Sequence, residues 1–186
     1  GVIYPIVMGW QWGGGWLAAI GFSDFAGSTL VHSTGGAAAL AGIIILGPRF
    51  GRFDSKGNPK AIQPFAASSI PLVTIGVFVL WLGWFGFNGG SQLALGSFAD
   101  AVAISTIFIN TNLAACGGVL AAAVITRLLF GKTDVVQMLN GAIGGLVAIT
   151  AEPLAPSPLA AILIGAMGGV IVVFGTKLLF SFKLDD

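Results

Sequence analysis

Of 186 residues, 56% are hydrophobic and 8% are charged, with eight Lys or Arg, seven Asp or Glu and a formal net charge of +1. An ordinary soluble domain is about one-quarter charged, so these few charges cannot build a water-facing shell, and disorder needs the opposite balance of low hydrophobicity and high charge. A near-neutral chain offers no basic field for nucleic acid, and the single cysteine, Cys116, excludes an internal disulfide and any Cys-rich metal site. What remains is an all-α polytopic membrane protein, and no motif calls for a cofactor or a metal. The 29 glycines suit closely packed membrane helices. The chain opens on Gly1 and a hydrophobic run without a basic leader region, so no signal peptide is expected and an internal stretch of a longer chain is.

The charges cluster, and the gaps between clusters are the candidate spans, because a helix needs about 20 apolar residues to cross the hydrocarbon. Residues 1–23 carry no charge, and 25–48 run uncharged from Asp24 to Arg49. The next gaps are 61–99, 101–126, 135–151 and 153–176. About six transmembrane helices follow. The gap 61–99 is too long for one span; its helix should start near Pro71, a favoured first-turn residue, and end near Asn88, Gly89 and Gly90. Alternation of period 2 is absent from these runs, which excludes the strands of a membrane barrel.

The basic residues fall in alternate connections. Arg49, Arg52, Lys56 and Lys60 lie in 49–60, Arg127 and Lys132 in 127–134, and Lys177 and Lys183 in 177–186. The other connections hold none. An excess of Lys and Arg marks the cytoplasmic side, so those three segments are expected inside, with Asp24, Asp100 and Glu152 outside. The protein is thus expected to be multi-pass in the cell membrane.

Glycines recur at four-residue spacing: Gly9 and Gly13, Gly86 and Gly90, Gly141 and Gly145, Gly165 and Gly169. Ser28, Gly35 and Gly42 form a seven-residue seam. Small seams let helix backbones approach closely. A phosphate or dinucleotide loop is not indicated, because no strand, turn and helix surround these glycines.

The polar residues inside spans carry the functional argument. His32, the single histidine, lies eight residues after Asp24, about 12 Å deeper at 1.5 Å per residue of helix. An ionisable group near mid-membrane is a functional hypothesis by default; the alternative is a neutral imidazole bonded to a neighbouring helix. Asp24, at the outer start of the same span, either caps free N–H groups or draws a cation towards the interior. As an acid–base pair the two residues are too far apart, with two helical turns between them.

In the run 81–91, Trp84 and Phe87 are three apart and share a helix face. Such aromatics form either an anchoring belt or, beside a hydroxyl such as Ser91, a small-cation site. Trp12, with Trp10 and Trp16, faces the same rim from the first span. For Asn110, Asn112 and Asn140 the expectation is interhelical hydrogen bonding.

These stretches resemble the ammonium transporter family, the Amt/Mep branch of the Amt/Mep/Rhesus superfamily. The resemblance rests on DFAGSTLVHSTGG at 24–36, GPRFGRFD at 47–54, GWFGFNGGS at 83–91, FINTNLA at 108–114 and NGAIGGLVAITA at 140–151, in family order across nearly the whole chain. It implies an eleven-helix inverted-repeat fold, a homotrimer with one pore per subunit, and no enzymatic activity. Residues 1–186 would be a partial ammonium transporter domain, from the end of helix four through helix nine. Trp84, Ser91 and Trp12 would form an outer ammonium site with support from Asp24. His32 would be the first of two pore histidines, and Phe87 one of two gate rings. The second histidine and second gate ring would belong to helices outside this stretch. The implied partners are ammonium or ammonia, with methylammonium as analogue, the lipid bilayer, and a cytoplasmic P-II regulatory protein. The alternative reading is an ammonium sensor coupled to a signalling domain.

Overall fold

The computed structural model describes residues 1–53 and 67–185. In chain order the elements are α1 (Ile3–Gln11), α2 (Trp16–Ala19), a π-helical segment (Ser28–Ser33) that runs straight into α3 (Thr34–Leu46), then α4 (Ile70–Gly90), α5 (Phe98–Phe130), α6 (Val135–Ile149) and α7 (Pro158–Ser181). Among the described residues, four helices are long and apolar enough to cross a membrane: Ser28–Leu46, Ile70–Gly90, Phe98–Phe130 and Pro158–Ser181. They coincide with the second, third, fourth and sixth expected spans. The fifth stretch forms α6, whose 15 residues reach about 22 Å, short of the roughly 30 Å hydrocarbon core.

The first stretch, 1–23, is not one helix. It breaks at Gly13, Gly14 and Gly15, where Gly14 takes φ +75° and the chain folds back so tightly that a Cβ at Gly15 would lie 2.7 Å from the Gly9 carbonyl oxygen. Three glycines in a row remove the side chains that such a turn excludes.

The other helix starts follow local chemistry. Ser69 and Ser157 accept from backbone N–H groups three residues on, each with a proline in the first turn behind it. Ser97 and Asp100 form a reciprocal capping box, and Asp134 accepts from the N–H groups of Val136 and Gln137.

Helices α5, α6 and α7 pack on one another most extensively, and glycine is the reason. A Cβ at Gly145 would strike the Ala114 carbonyl, at Gly169 the Gly118 carbonyl, and at Gly168 the Gly144 carbonyl. The pairs Gly141/Gly145 and Gly165/Gly169 are therefore backbone contact seams, as expected. Gly86, Gly90, Gly35 and Gly42 have open space around the Cβ position. Gly165→Ala is expected to destabilise the three-helix core by about 1–3 kcal/mol or more, because the new methyl overlaps the Ala114 backbone. A thermal unfolding curve of the purified protein unchanged by Gly165→Ala would refute that.

The described basic residues gather at one end of the bundle. Asp185 holds Arg49 through a bidentate pair, Nε to Oδ2 at 2.6 Å and Nη2 to Oδ1 at 2.7 Å, and accepts the Arg49 N–H at 3.1 Å. Arg52 Nε lies 3.1 Å from Oδ1, and its guanidinium sits 4.5 Å over the Phe180 ring. The hydrogen bonds from Arg49 hold the Asp185 carboxyl well below the usual carboxylate range. These groups border a cavity of about 260 Å³ that the start of α6 closes with Gln137 and Asn140. The loop after α3, the start of α6 and the end of α7 therefore lie on one side. Lys56 and Lys60 fall outside the described residues.

Candidate functional site

The site begins with Asp24. Its carboxylate is buried, 1% exposed, and accepts four backbone N–H groups: Gly27 and Ser28 on Oδ1 at 3.0 Å each, Thr29 and Leu30 on Oδ2 at 2.8 Å each. A helix start leaves four N–H groups without intrahelical partners, and one anion serves all four here at the positive end of the dipole. The geometry needs Gly27 at φ +113°, where a Cβ would also press on the Val31 side chain. The helix opens as a π-helix, a form that occurs mostly as single turns within α-helices and often at functional sites.

His32 lies in this π-helical turn. Its ring stacks on Trp84 with centroids 4.9 Å apart at 26°, and meets Phe87 at 5.4 Å and 35°. Trp84 and Phe87 are themselves 5.9 Å apart, so the helix face they share presents both rings to one histidine. His32 Nε2 is buried without a hydrogen-bond partner among the described residues. An imidazole in an aromatic wall offers one polar point in an otherwise apolar surface.

Both halves of this contact are held by the end of α6. Ala26 N–H donates to the Thr150 carbonyl at 3.0 Å and Phe25 N–H to the Ala151 carbonyl at 2.7 Å, while the Ser28 hydroxyl donates to the Val147 carbonyl. On the other side the Trp84 indole N–H donates to Thr150 Oγ1 at 2.8 Å.

The expected site residues separate into two groups. Trp12 and Asp24 come together: the indole N–H of Trp12 donates to the Asp24 carbonyl at 2.8 Å, and the ring edge lies 3.3 Å from where a Gly27 Cβ would be. His32, Trp84 and Phe87 form the second group. Trp84 does not stand beside Ser91. Seven residues of helix separate them, two turns or about 10 Å, and Trp84 is only 9% exposed with its N–H committed to Thr150. Ser91 instead donates to the Phe87 carbonyl at 2.9 Å. The depth assigned to His32 also changes. Residues 24–27 are a folded-back cap and the helix begins at Ser28, so His32 lies about one turn inside the helix start.

Asn110 donates from Nδ2 to the carbonyls of Pro153 and Pro156 at 2.9 and 2.8 Å, so it ties α5 to the connection between α6 and α7 rather than to another helix. Asn112 and Asn140 are exposed. Two partners were not picked out from the sequence: Thr150, and Thr111, which accepts from buried Asn88 at 3.0 Å. Thr150 is a lone threonine in an apolar run and Thr111 stands between two asparagines, but the partner of each lies on another helix.

A multi-pass membrane protein with a capped π-helical turn and a histidine set into an aromatic wall is the class that this geometry defines. A family model described as Ammonium Transporter Family matches residues 1–186, and the chain belongs to that family. It is 46% identical to ammonium transporter Amt2 of Archaeoglobus fulgidus and 37% identical to ammonium transporter 1 member 1 of Arabidopsis thaliana, with 100% of the chain and 40% of each relative covered. The chain thus spans about two-fifths of the length of those curated relatives. Among solved structures it superposes on a protein titled Sensor Amt Protein with TM-score 0.90 at 36% identity, covering 100% of this chain and 46% of that one. On Candida albicans Mep2 the TM-score is 0.86 at 34% identity, covering 100% and 39%.

Proposed function

We propose that this segment forms one wall of the conduction path of an ammonium transporter, and that the complete protein takes up ammonium and passes it inward as ammonia. The observation that carries the reading is the packing of His32 on Trp84 and Phe87 with its Nε2 buried and unpartnered among the described residues. An apolar wall opposes entry of a charged ion, and a neutral imidazole within it gives ammonia a polar contact. At the outer end Trp12 and Ser91 favour the charged form through cation–π attraction and a hydroxyl. Asp24 contributes a fixed negative charge and holds the loop beneath Trp12, since its carboxylate oxygens are engaged by backbone N–H groups. There the ion passes its proton to adjacent water, which carries the proton onward through water or the histidine pair, and the neutral ammonia moves past Phe87. Trp84 belongs to the wall beneath Phe87 rather than to the outer site.

In this reading residues 1–186 run from the end of helix four through helix nine of an eleven-helix fold. The facing wall, with the second histidine, comes from the other half of the inverted repeat. The working unit is a homotrimer, and the basic end of the bundle is the side for a P-II regulatory protein.

The test is competition of labelled methylammonium uptake by ammonium in cells expressing the complete transporter. Trp12→Leu should raise the half-saturation concentration about 2- to 30-fold, the equivalent of about 0.5–2 kcal/mol of cation–π attraction. Trp84→Leu should lower flux with little change in half-saturation. Absence of ammonium-competed uptake in the wild type overturns the transport reading. Sidedness is checked separately. A thiol introduced at Thr133 should be protected from an impermeant reagent applied outside, and one at Ser97 should react; labelling at Thr133 in intact cells would reverse the orientation.

A sensor reading has one observation in its favour, the superposition on the Sensor Amt Protein. It requires ammonium binding without flux and a signalling domain on the complete chain.

A further inference from the structure

We infer that Thr150 is the positioning residue of this path, holding the Trp84 ring against His32. The inference rests on the transport reading above and adds a residue that acts on the path through Trp84, a residue of its wall. Thr150 is fully buried. Its hydroxyl donates to the Leu146 carbonyl at 2.6 Å, one turn back on α6. That bond uses the hydroxyl proton and leaves the oxygen lone pairs as acceptors, and the Trp84 indole N–H takes one of them at 2.8 Å. The same residue's carbonyl accepts the Ala26 N–H at 3.0 Å, on the strand of chain that leads into the His32 turn. One residue therefore anchors the ring of α4 and the backbone that carries the histidine, so the stacking distance between His32 and Trp84 is set from α6.

An indole turns about two side-chain torsions, and stacking alone leaves its in-plane direction loosely defined. A hydrogen bond from its single N–H removes that freedom and satisfies a donor that would otherwise be buried without a partner. Packing by itself requires only the shape of threonine, which valine shares. Holding the indole requires the oxygen, which serine keeps and valine lacks.

The experiment uses the complete transporter, with nitrogen-15-labelled indoles and a parallel flux assay. Trp84→Phe removes one indole N–H signal and so assigns it. Thr150→Val should move that signal in the direction of a lost hydrogen bond and change the ratio of methylammonium to ammonium flux by about two- to tenfold, the range one hydrogen bond commands. Thr150→Ser should retain both wild-type values. Trp84→Phe should shift the flux ratio as Thr150→Val does, and the double variant should show no more than either alone, because both remove the same bond. A wild-type indole signal and flux ratio in Thr150→Val would overturn the inference, as would effects that multiply in the double variant. If Thr150→Val does not assemble, Trp84→Phe decides: a wild-type flux ratio there overturns it. A shifted indole signal in a protein whose wild type carries no ammonium flux supports the hold of Thr150 on Trp84 and overturns the transport reading instead.

Discussion

His32→Ala in the complete transporter is expected to lower ammonium flux at least about tenfold, equal to about 1.4 kcal/mol at the barrier, while the protein still assembles. The ring is half of a stacked pair at 4.9 Å from Trp84 and also touches Phe87, so alanine removes both the polar point and the bulk that shapes the wall. The helix that carries it is held from elsewhere, by Asp24 and by the end of α6, which is why assembly should survive. Flux assays on membranes with matched protein levels, together with size-exclusion profiles, separate the two effects. Wild-type flux and selectivity in His32→Ala would reduce the residue to packing.

Asp24→Ala should act differently, through stability first. Four backbone N–H groups end on this carboxylate at 2.8–3.0 Å, and hydrogen bonds to a charged group are worth about 1.5–3 kcal/mol each when broken singly. They share one anion and do not add in full, so a loss of about 3–5 kcal/mol is expected, at the upper end for any single substitution. Asp24→Asn keeps one acceptor oxygen and should fall between. Thermal unfolding of the purified variants, alongside the fraction assembled, reads this directly. An Asp24→Ala protein of wild-type stability with abolished flux would show that the carboxylate acts on the ion itself and not through the loop it holds.

Several local features were legible along the chain because their causes lie within a few residues. Pro71 marks the start of α4, because proline is favoured in a first turn, where N–H groups have no helical partner. Gly141, Gly145, Gly165 and Gly169 mark close backbone approach. Trp84 and Phe87 share a face because three residues nearly complete a turn. The sequence could not show that Thr150 takes the Trp84 indole N–H, or that Trp84 and Ser91 sit two turns apart on α4. The expected depth of His32 rested on a helix running from Asp24. The carboxylate instead turns back to cap Ser28, so four residues counted as helical rise are loop.

By itself the sequence determined that this is a helical membrane protein, where its long spans lie and which end carries the basic side chains. Each of those follows from the high cost of placing charge or unpaired backbone in hydrocarbon, and that rule acts on short stretches of chain. Only the tertiary structure decided that Asp24 serves four N–H groups, that His32 lies against Trp84 and Phe87, that Thr150 holds the indole, and that Asp185 joins Arg49 and Arg52 across 136 residues in the case of Arg49. Those contacts depend on which helices pack together, and a hydrogen bond between side chains distant in sequence leaves no period or spacing in the chain that encodes it.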